Sequence, residues 1–588
     1  MSSVAPSAGA TSASPDPLPC PARSHPPRGR RSTTLRAAAR ALGTFTWALT
    51  LLSALLSPLG CHGTLLEGDG ATKGGSGPDD GSQDPEAGDC LPRIEQSLIL
   101  LNELAFVSSL RDLLGPAAIE GRLAPDVYTK TFARKGYVAN TSVVSTRLEW
   151  AAHATRGLPA TAGEVTGCDG TDSACVRDYL EGFAHRAFRR PVSAEELDDL
   201  MAVYAQGAET SFGDGVQLAA QAVIVSPSFN HRTEYGSQRD DGFYELTPHE
   251  LASALSYLLT DSLPDPELLA AADSGALAEP DERVLQVRRL LESAEVRGSV
   301  EKTLLAAWTL GNLFGKVKDP GMYPEFSASL ASQMYRETEL FLEARLWSGE
   351  GLTSLLTART SPMNAALAQL VGVPFPGSDP TEFVEVPLPP ERIGLLTQPS
   401  VLATLSRTDS TSVVARGLFV NGPLLCLPKI PSPPEDAIAE IEAQLEHDMT
   451  ERERADARAT TTPCNNCHNQ FDAFGLLFET YDAIGRYRTM EKGVPIDASV
   501  DFSKHATFDG QYADIIEFAE DIAQRPEFVQ CVTRHLLVYG TGEESLGRDA
   551  CEVQQASHDL TGESNLADVL EAIARSPALS LRKKDSAP

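Results

Sequence analysis

The chain has 588 residues, far more than one hydrophobic core requires, so several domains are expected. It carries 81 acidic against 49 basic side chains, a formal net charge of -32, which disfavours binding to nucleic-acid phosphates or to anionic lipid headgroups. Because 42% of the residues are hydrophobic, the composition also excludes a wholly disordered chain.

The first 60 residues have the layout of an export signal. Several arginines precede an apolar run of 16 residues, 41–56, which is short for a membrane span. Cys61 follows Gly60, an arrangement that favours lipoprotein processing with acylation of Cys61, while cleaved secretion and a retained anchor are the alternatives. Residues 61–89 are rich in Gly, Asp and Ser and predict a flexible tether. We therefore expect a cell-envelope, periplasmic or secreted protein that touches the membrane only through a lipid anchor.

Export changes how the ten cysteines are interpreted, because thiols outside the cytoplasm tend to oxidise in pairs. Cys168 and Cys175 enclose a short polar loop and are the predicted disulfide. Four more cysteines have no partner that the sequence alone can assign: Cys90, Cys426, Cys531 and Cys551.

The hydrophobic periodicity beyond the tether is helical almost throughout. The segment LRDLLGPAAIEGRL, which begins at Leu110, has helical spacing. Ser193 and Thr247 each precede a glutamate by three residues and predict capping boxes. The best strand pattern is TEFVEVPL, which begins at Thr381. The predicted fold class is predominantly all-α, with several packed helical domains and irregular, disulfide-stapled loops.

One motif carries recognisable chemistry. Cys464, Cys467 and His468 form the CxxCH pattern of covalent c-type haem attachment. On a helical turn these positions share a face, so two thiols can bond the haem vinyl groups while the imidazole reaches the iron. The alternatives are an oxidised CxxC disulfide, or a zinc site completed by a distant residue such as His447 or Cys531.

The second axial ligand of such a haem iron is not determined by the sequence. Methionine or bis-histidine coordination would make an electron carrier, whereas an open position would permit peroxide or gas chemistry. The candidates on the distal side are Met490, His505 and His535.

Acidic residues follow the motif closely and have two interpretations. They cap turns and pair with Arg486 and Arg488, or they form a cation site. The residues concerned are Asp472, Glu479 and Asp482. The sequence contains no serine-hydrolase elbow, no HExxH helix and no glycine-rich phosphate loop, so we predict no catalytic residue and leave open whether the protein is an enzyme.

Several segments resemble a bacterial family of exported multi-domain proteins built from domains of unknown function 1592, 1588 and 1585, with relatives 1587 and 1595. The segments that carry the resemblance are HRAFRRPVSAEELDDL, YELTPHELASALSYLLTDSLPDPELL, RIGLLTQPSVLATLSRTDSTSVVARGLFVNGPLLC and CNNCHNQFDAFGLLFETYDAIGRYR. The chain departs from the family pattern at Val413, where a proline is usual.

The resemblance implies a domain order along the chain. The expected segments are an export region 1–60, a tether 61–89, a helical segment 90–160 (1587-like), a helical unit 161–236 (1595-like), a large helical domain 237–375 (1592-like), a CxxCH domain 376–510 (1588-like) and a C-terminal helical domain 511–588 (1585-like).

The resemblance also implies covalent haem at Cys464, Cys467 and His468, with no assigned substrate. We therefore predict an exported, membrane-tethered haem c protein with an electron-transfer or redox role, whose acidic surface suits a basic redox partner. The alternatives are a disulfide-stabilised scaffold or binding lipoprotein without haem, and a haem enzyme with an open axial position.

Overall fold

A computed structural model describes residues 93–121, 141–170, 172–430, 449–462 and 464–584. The predicted export region, the tether and the lipidation site Cys61 lie outside these residues.

The N-terminal part consists of helices packed around their own hydrophobic cluster, which includes Phe106, Trp150 and Phe229. Strand β1, Ser97–Leu100, pairs antiparallel with β2, His231–Glu234, and so brings the two ends of this part together. The helices are α1 Glu103–Leu114, α2 Thr141–Ala154, α3 Leu158–Thr166, α4 Ser173–Phe188, α5 Ala194–Ala208, α6 Phe212–Val225 and α7 Pro227–Asn230.

The capping box predicted at Ser193 is confirmed: its hydroxyl accepts from the backbone of Glu196, whose carboxylate accepts from the backbone of Ser193. The helix predicted to run onward from Leu110 is wrong in its extent. Helix α1 ends at Leu114, because Gly115 adopts a φ of 86° and Pro116 has no N–H to continue the hydrogen-bond ladder.

The central part is the largest and contributes most of the main hydrophobic cluster, together with the C-terminal helices. Thr247 forms the predicted capping box with Glu250 at the start of α8. The helices are α8 Pro248–Thr260, α9 Pro266–Asp273, α10 Pro280–Leu290, α11 Ala294–Ala307, α12 Ala328–Leu346, α13 Ser354–Thr357 and α14 Ala365–Val371. The strands are β3 Ser237–Gln238, β4 Tyr244–Glu245, β5 Thr360–Met363 and β6 Val384–Pro387. Strand β6 lies within the segment predicted as a strand and pairs antiparallel with β5.

The part that carries the CxxCH motif has short helices and small hairpins. A short π-helix, Val420–Leu424, follows directly after α16 and contains Pro423. The helices are α15 Pro399–Thr404, α16 Val413–Phe419, α17 Glu451–Thr460, α18 Asn465–His468 and α19 Asp472–Leu476. The strands are β7 Met490–Glu491, β8 Val494–Pro495, β9 Val500–Asp501 and β10 Gln511–Tyr512.

The C-terminal helices close the described chain back onto its beginning. They are α20 Ile515–Ile522, α21 Pro526–Thr541, α22 Cys551–Ser557, α23 Leu566–Arg575 and α24 Pro577–Ser580. Strand β11, Leu581–Arg582, pairs with β4, and the buried Arg582 guanidinium lies 2.6 Å from the Glu234 carboxylate. The predominantly helical fold class is thus confirmed.

Candidate functional site

The CxxCH motif forms one helical turn, residues 464–468, which we call the CxxCH turn. Cys464 caps α18, and its carbonyl accepts from the backbone N–H groups of Cys467 and His468 at 3.1 and 2.9 Å. Positions separated by three and four residues share a helix face, so the three side chains leave this turn on the same side, and their use as haem attachment groups stays a prediction. Cys464 is buried and Cys467 is partly exposed.

The orientation of the His468 ring is set by Asp472, one turn further along the chain. His468 Nδ1 lies 3.0 and 3.1 Å from the two carboxylate oxygens, and because a carboxylate only accepts, Nδ1 carries the proton. Nε2 is left with its lone pair and makes no hydrogen bond to the described residues. Metal-binding histidines characteristically donate their second ring N–H in this way, so the donor set fits a metal or haem iron at Nε2.

Asp472 is in turn fixed by Arg458, which lies on α17. The guanidinium Nε donates to Asp472 Oδ2 at 2.9 Å, and both side chains are only 6% exposed. This buried ion pair holds the carboxylate in place beside the imidazole. The sequence suggested Asp472 only as a turn-capping or cation-binding carboxylate, although its position four residues after His468 was a local signal of its role.

A close helix crossing holds the CxxCH turn against the rest of the domain. Gly417 on α16 packs against the backbone of Phe471, and Gly475 on α19 packs against the backbone of Val413. At either glycine a Cβ atom would overlap a carbonyl oxygen of the other segment. The residues that follow the motif are therefore positioned by backbone contact, which tolerates no side chain at these two points.

The other acidic residues after the motif are neutralised by arginines. Glu479 accepts from Arg488 at 2.8 Å and from Thr411 at 2.8 Å, and Asp482 accepts from Arg486 at 2.6 Å. Burial raises the pKa of the Glu479 carboxyl, and nearby Arg416 opposes this shift. The predicted pairing of Glu479 and Asp482 with Arg488 and Arg486 is therefore confirmed. These partners do not support the alternative of a cation site.

His505 lies close to the CxxCH turn, but its tautomer does not suit ligation through Nε2. Gln470 links the two segments, because its side-chain oxygen accepts from Ala506 N at 2.9 Å. His505 Nδ1 accepts from the backbone N–H groups of Thr507 and Phe508 at 3.1 and 2.9 Å, so the proton of the neutral ring is on Nε2. Burial also lowers the pKa of His505, which keeps the ring neutral.

The other two distal candidates have surroundings of their own. His535 Nε2 lies 2.7 Å from the Pro423 carbonyl oxygen and 3.4 Å from Cys531 Sγ, and burial lowers its pKa to about 4. Met490 is 48% exposed on the β7–β8 hairpin. The distal ligand therefore stays a prediction.

Disulfides join two pairs of cysteines among the described residues. The predicted Cys168–Cys175 bond is present. A second bond joins Cys426 to Cys531 across a sequence separation of 105, which the sequence could not assign. Cys551 is disulfide-bonded as well. These bonds are consistent with an extracytoplasmic protein.

Four family models match consecutive parts of the chain. Each is described as a protein of unknown function, and the matches are DUF1595 at residues 175–234, DUF1592 at 246–373, DUF1588 at 392–491 and DUF1585 at 509–579. Together they cover more than half of the sequence. The chain belongs to this multi-domain family. The CxxCH turn lies inside the DUF1588 match, and the 1587-like assignment of residues 90–160 stays a prediction.

No curated protein and no solved structure matches the chain. Within the described residues, no helix has the length and apolar character needed to cross a membrane.

Proposed function

We propose that this protein is an exported haem c protein of the cell envelope, attached to the membrane through Cys61 and active in electron transfer. The haem would be held by Cys464, Cys467 and His468. The observation that carries the proposal is the hydrogen bond from His468 Nδ1 to Asp472, which places the ring proton on Nδ1 and leaves the Nε2 lone pair available to a metal.

Each residue of the site has a separate task. The Cys464 and Cys467 thiols would each add across one vinyl group of the porphyrin, so that an S–H bond is exchanged for a thioether without any oxidant. His468 would supply the proximal nitrogen, and Asp472 holds its ring in the required tautomer. A bound haem supplies a one-electron redox couple.

The charge of the chain supports a basic partner for the electron transfer. The formal net charge is -32, and opposite charges accelerate the encounter of two proteins by long-range attraction. Lipid attachment at Cys61 would leave the folded part free to meet such a partner at the membrane surface.

The test is expression of the full chain, with its export signal, in a host that matures c-type haem. We expect a coloured protein whose intact mass includes one porphyrin and whose absorbance changes on reduction. Cys464→Ser and Cys467→Ser should each weaken attachment, and the double variant should abolish it. Asn466→Ala, a change between the two cysteines of the same turn, is the matched control and should retain the haem.

The alternatives give different results in the same experiment. A colourless protein in which Cys464 and Cys467 are bridged to one another would contradict the proposal and favour a disulfide-stabilised scaffold. Carbon monoxide separates a carrier from a haem enzyme, because an iron with both axial positions filled should respond weakly to it.

A further inference from the structure

A second group of metal-ligating side chains lies between the N-terminal helices and the central part of the protein. It consists of His185 in the last turn of α4, His249 in the first turn of α8, and Asp273, the last residue of α9. Both imidazole Nε2 atoms converge on the same carboxylate oxygen, Asp273 Oδ1, at 3.2 Å for His185 and 2.9 Å for His249.

The spacing of these three atoms agrees with tetrahedral coordination. Zinc binds imidazole nitrogen and carboxylate oxygen at roughly 2.0 to 2.2 Å, which places neighbouring ligand atoms about 3.3 Å apart. The two nitrogen-to-oxygen distances are close to that value, and all three ligand atoms lie within 4.8 Å of one another. The three ligand atoms are therefore close enough for a single ion to contact all of them.

Of the two histidine Nε2 atoms, only that of His249 has a hydrogen-bond partner among the described residues. His249 Nε2 is hydrogen-bonded to Asp273, whereas His185 Nε2 is buried and has no hydrogen-bond partner among the described residues, despite its short distance from the same oxygen. A buried polar atom without a partner is costly, and a metal ion would satisfy it. Asp273 also stands at the C-terminal end of α9, where the helix dipole favours a cation.

We propose that His185, His249 and Asp273 form a zinc-binding site, separate from the CxxCH turn and independent of the function proposed for it. The three side chains are 26%, 19% and 42% exposed, and a water molecule would complete the coordination as the fourth ligand. Two imidazole nitrogens and one carboxylate oxygen are a ligand set that suits zinc.

A zinc ion at this site would cross-link two parts of the fold. His185 belongs to the region matched by DUF1595, whereas His249 and Asp273 belong to the region matched by DUF1592. The buried apolar residues of the first region belong to one hydrophobic cluster and most of those of the second region belong to another, although Tyr257 and Leu263 of the second region join the first cluster. An ion that binds only the folded arrangement stabilises it by mass action, so zinc should raise the melting temperature of the protein.

The experiment is calorimetric titration of the full exported chain with Zn²⁺, without a histidine tag and in a Cys464→Ser/Cys467→Ser background that removes the thiols as competing ligands. We expect one zinc per chain, and binding weakened about 100-fold or more by His185→Ala or by His249→Ala. His558→Ala is the matched control, because His558 pairs with Asp559 at 2.9 Å on the exposed surface and has no third ligand in the part of the chain that the structure describes. It should bind zinc as the parent protein does.

X-ray absorption at the zinc edge provides a test that needs no substitution at the proposed zinc ligands. The proposal predicts two imidazoles and only nitrogen or oxygen donors around the ion in the Cys464→Ser/Cys467→Ser protein. Failure to bind zinc, equal binding by the His185→Ala variant, or a spectrum without two imidazoles would each overturn it. Because the thiols are absent from this background, none of these results bears on the haem proposal.

Discussion

Asp472 accepts a hydrogen bond from His468 Nδ1 and an ion-paired hydrogen bond from Arg458 Nε at the same time. These hydrogen bonds connect α17 to the CxxCH turn. The buried Arg458–Asp472 ion pair thereby fixes the orientation of the His468 ring. Removal of the carboxylate therefore affects both the ring and the guanidinium.

Asp472→Ala should lower the free energy of unfolding by about 3 kcal/mol, because it leaves the buried Arg458 guanidinium without its partner. Urea denaturation of the full chain, followed by circular dichroism, measures the change. Asp559→Ala is the control: Asp559 also pairs with a histidine, but its side chain is 97% exposed, so no measurable change is expected. Equal effects of the two substitutions would show that the Arg458 pair contributes nothing.

The disulfides should differ in how much they stabilise the fold. The bond between Cys426 and Cys531 closes a loop of 105 residues, whereas that between Cys168 and Cys175 closes a loop of 7. A longer loop restricts the unfolded chain more, so we expect losses of about 5 kcal/mol for Cys426→Ala/Cys531→Ala and about 2 to 3 kcal/mol for Cys168→Ala/Cys175→Ala. Denaturation under non-reducing conditions measures both. A larger loss for Cys168→Ala/Cys175→Ala than for Cys426→Ala/Cys531→Ala would mean that contacts in the folded state, not the entropy of the unfolded chain, determine these stabilities.

The features that could be predicted from the sequence are local ones. The Ser193 and Thr247 capping boxes each depend on four consecutive residues, and the CxxCH turn on five. The same applies to the disulfide across the short loop from Cys168 to Cys175. The helix predicted from the spacing after Leu110 was too long, because Gly115 and Pro116 end it.

The features that the sequence did not reveal join residues that are distant along the chain. Arg458 reaches Asp472 from another helix, and Cys426 bonds to Cys531 over a long separation. Many pairings of this kind are compatible with one hydrophobic pattern, so tertiary packing selects among them. The tautomer of His505 likewise depends on backbone N–H groups that only the folded loop presents.

Gly475→Ala should lower the free energy of unfolding by about 3 kcal/mol, because the added Cβ would overlap the Val413 carbonyl oxygen where α16 and α19 cross. The control is Gly298→Ala on α11, where no atom lies within 4 Å of the added Cβ. There the higher helix propensity of alanine should raise the free energy of unfolding by about 0.5 to 1 kcal/mol. Thermal and urea unfolding of both variants measure these opposite signs. A destabilisation at Gly298 as large as that at Gly475 would argue against the close crossing.

Glu337 should make the stability of the protein fall as the pH rises from mildly acidic to neutral. Its side chain is fully buried and accepts one hydrogen bond, from Ser361 at 2.8 Å, and burial raises the pKa of its carboxyl from 4.5 to about 7. The folded chain therefore holds a proton that the unfolded chain releases. The stabilisation that results is fully present below about pH 4.5 and is lost as the pH rises to about 7.

Glu337→Gln isolates this effect, because glutamine is similar in shape and stays neutral at every pH. The free energy of unfolding of the variant, relative to that of the parent protein, should rise by on the order of 3 kcal/mol between about pH 4.5 and about pH 7. Taking the difference between two proteins removes the contribution of other groups, such as Glu301, whose pKa burial also raises to about 7. Urea denaturation of both proteins across this range measures the difference. A difference that does not change with pH would mean that Glu337 is ionised in the folded protein at the acidic end of the range.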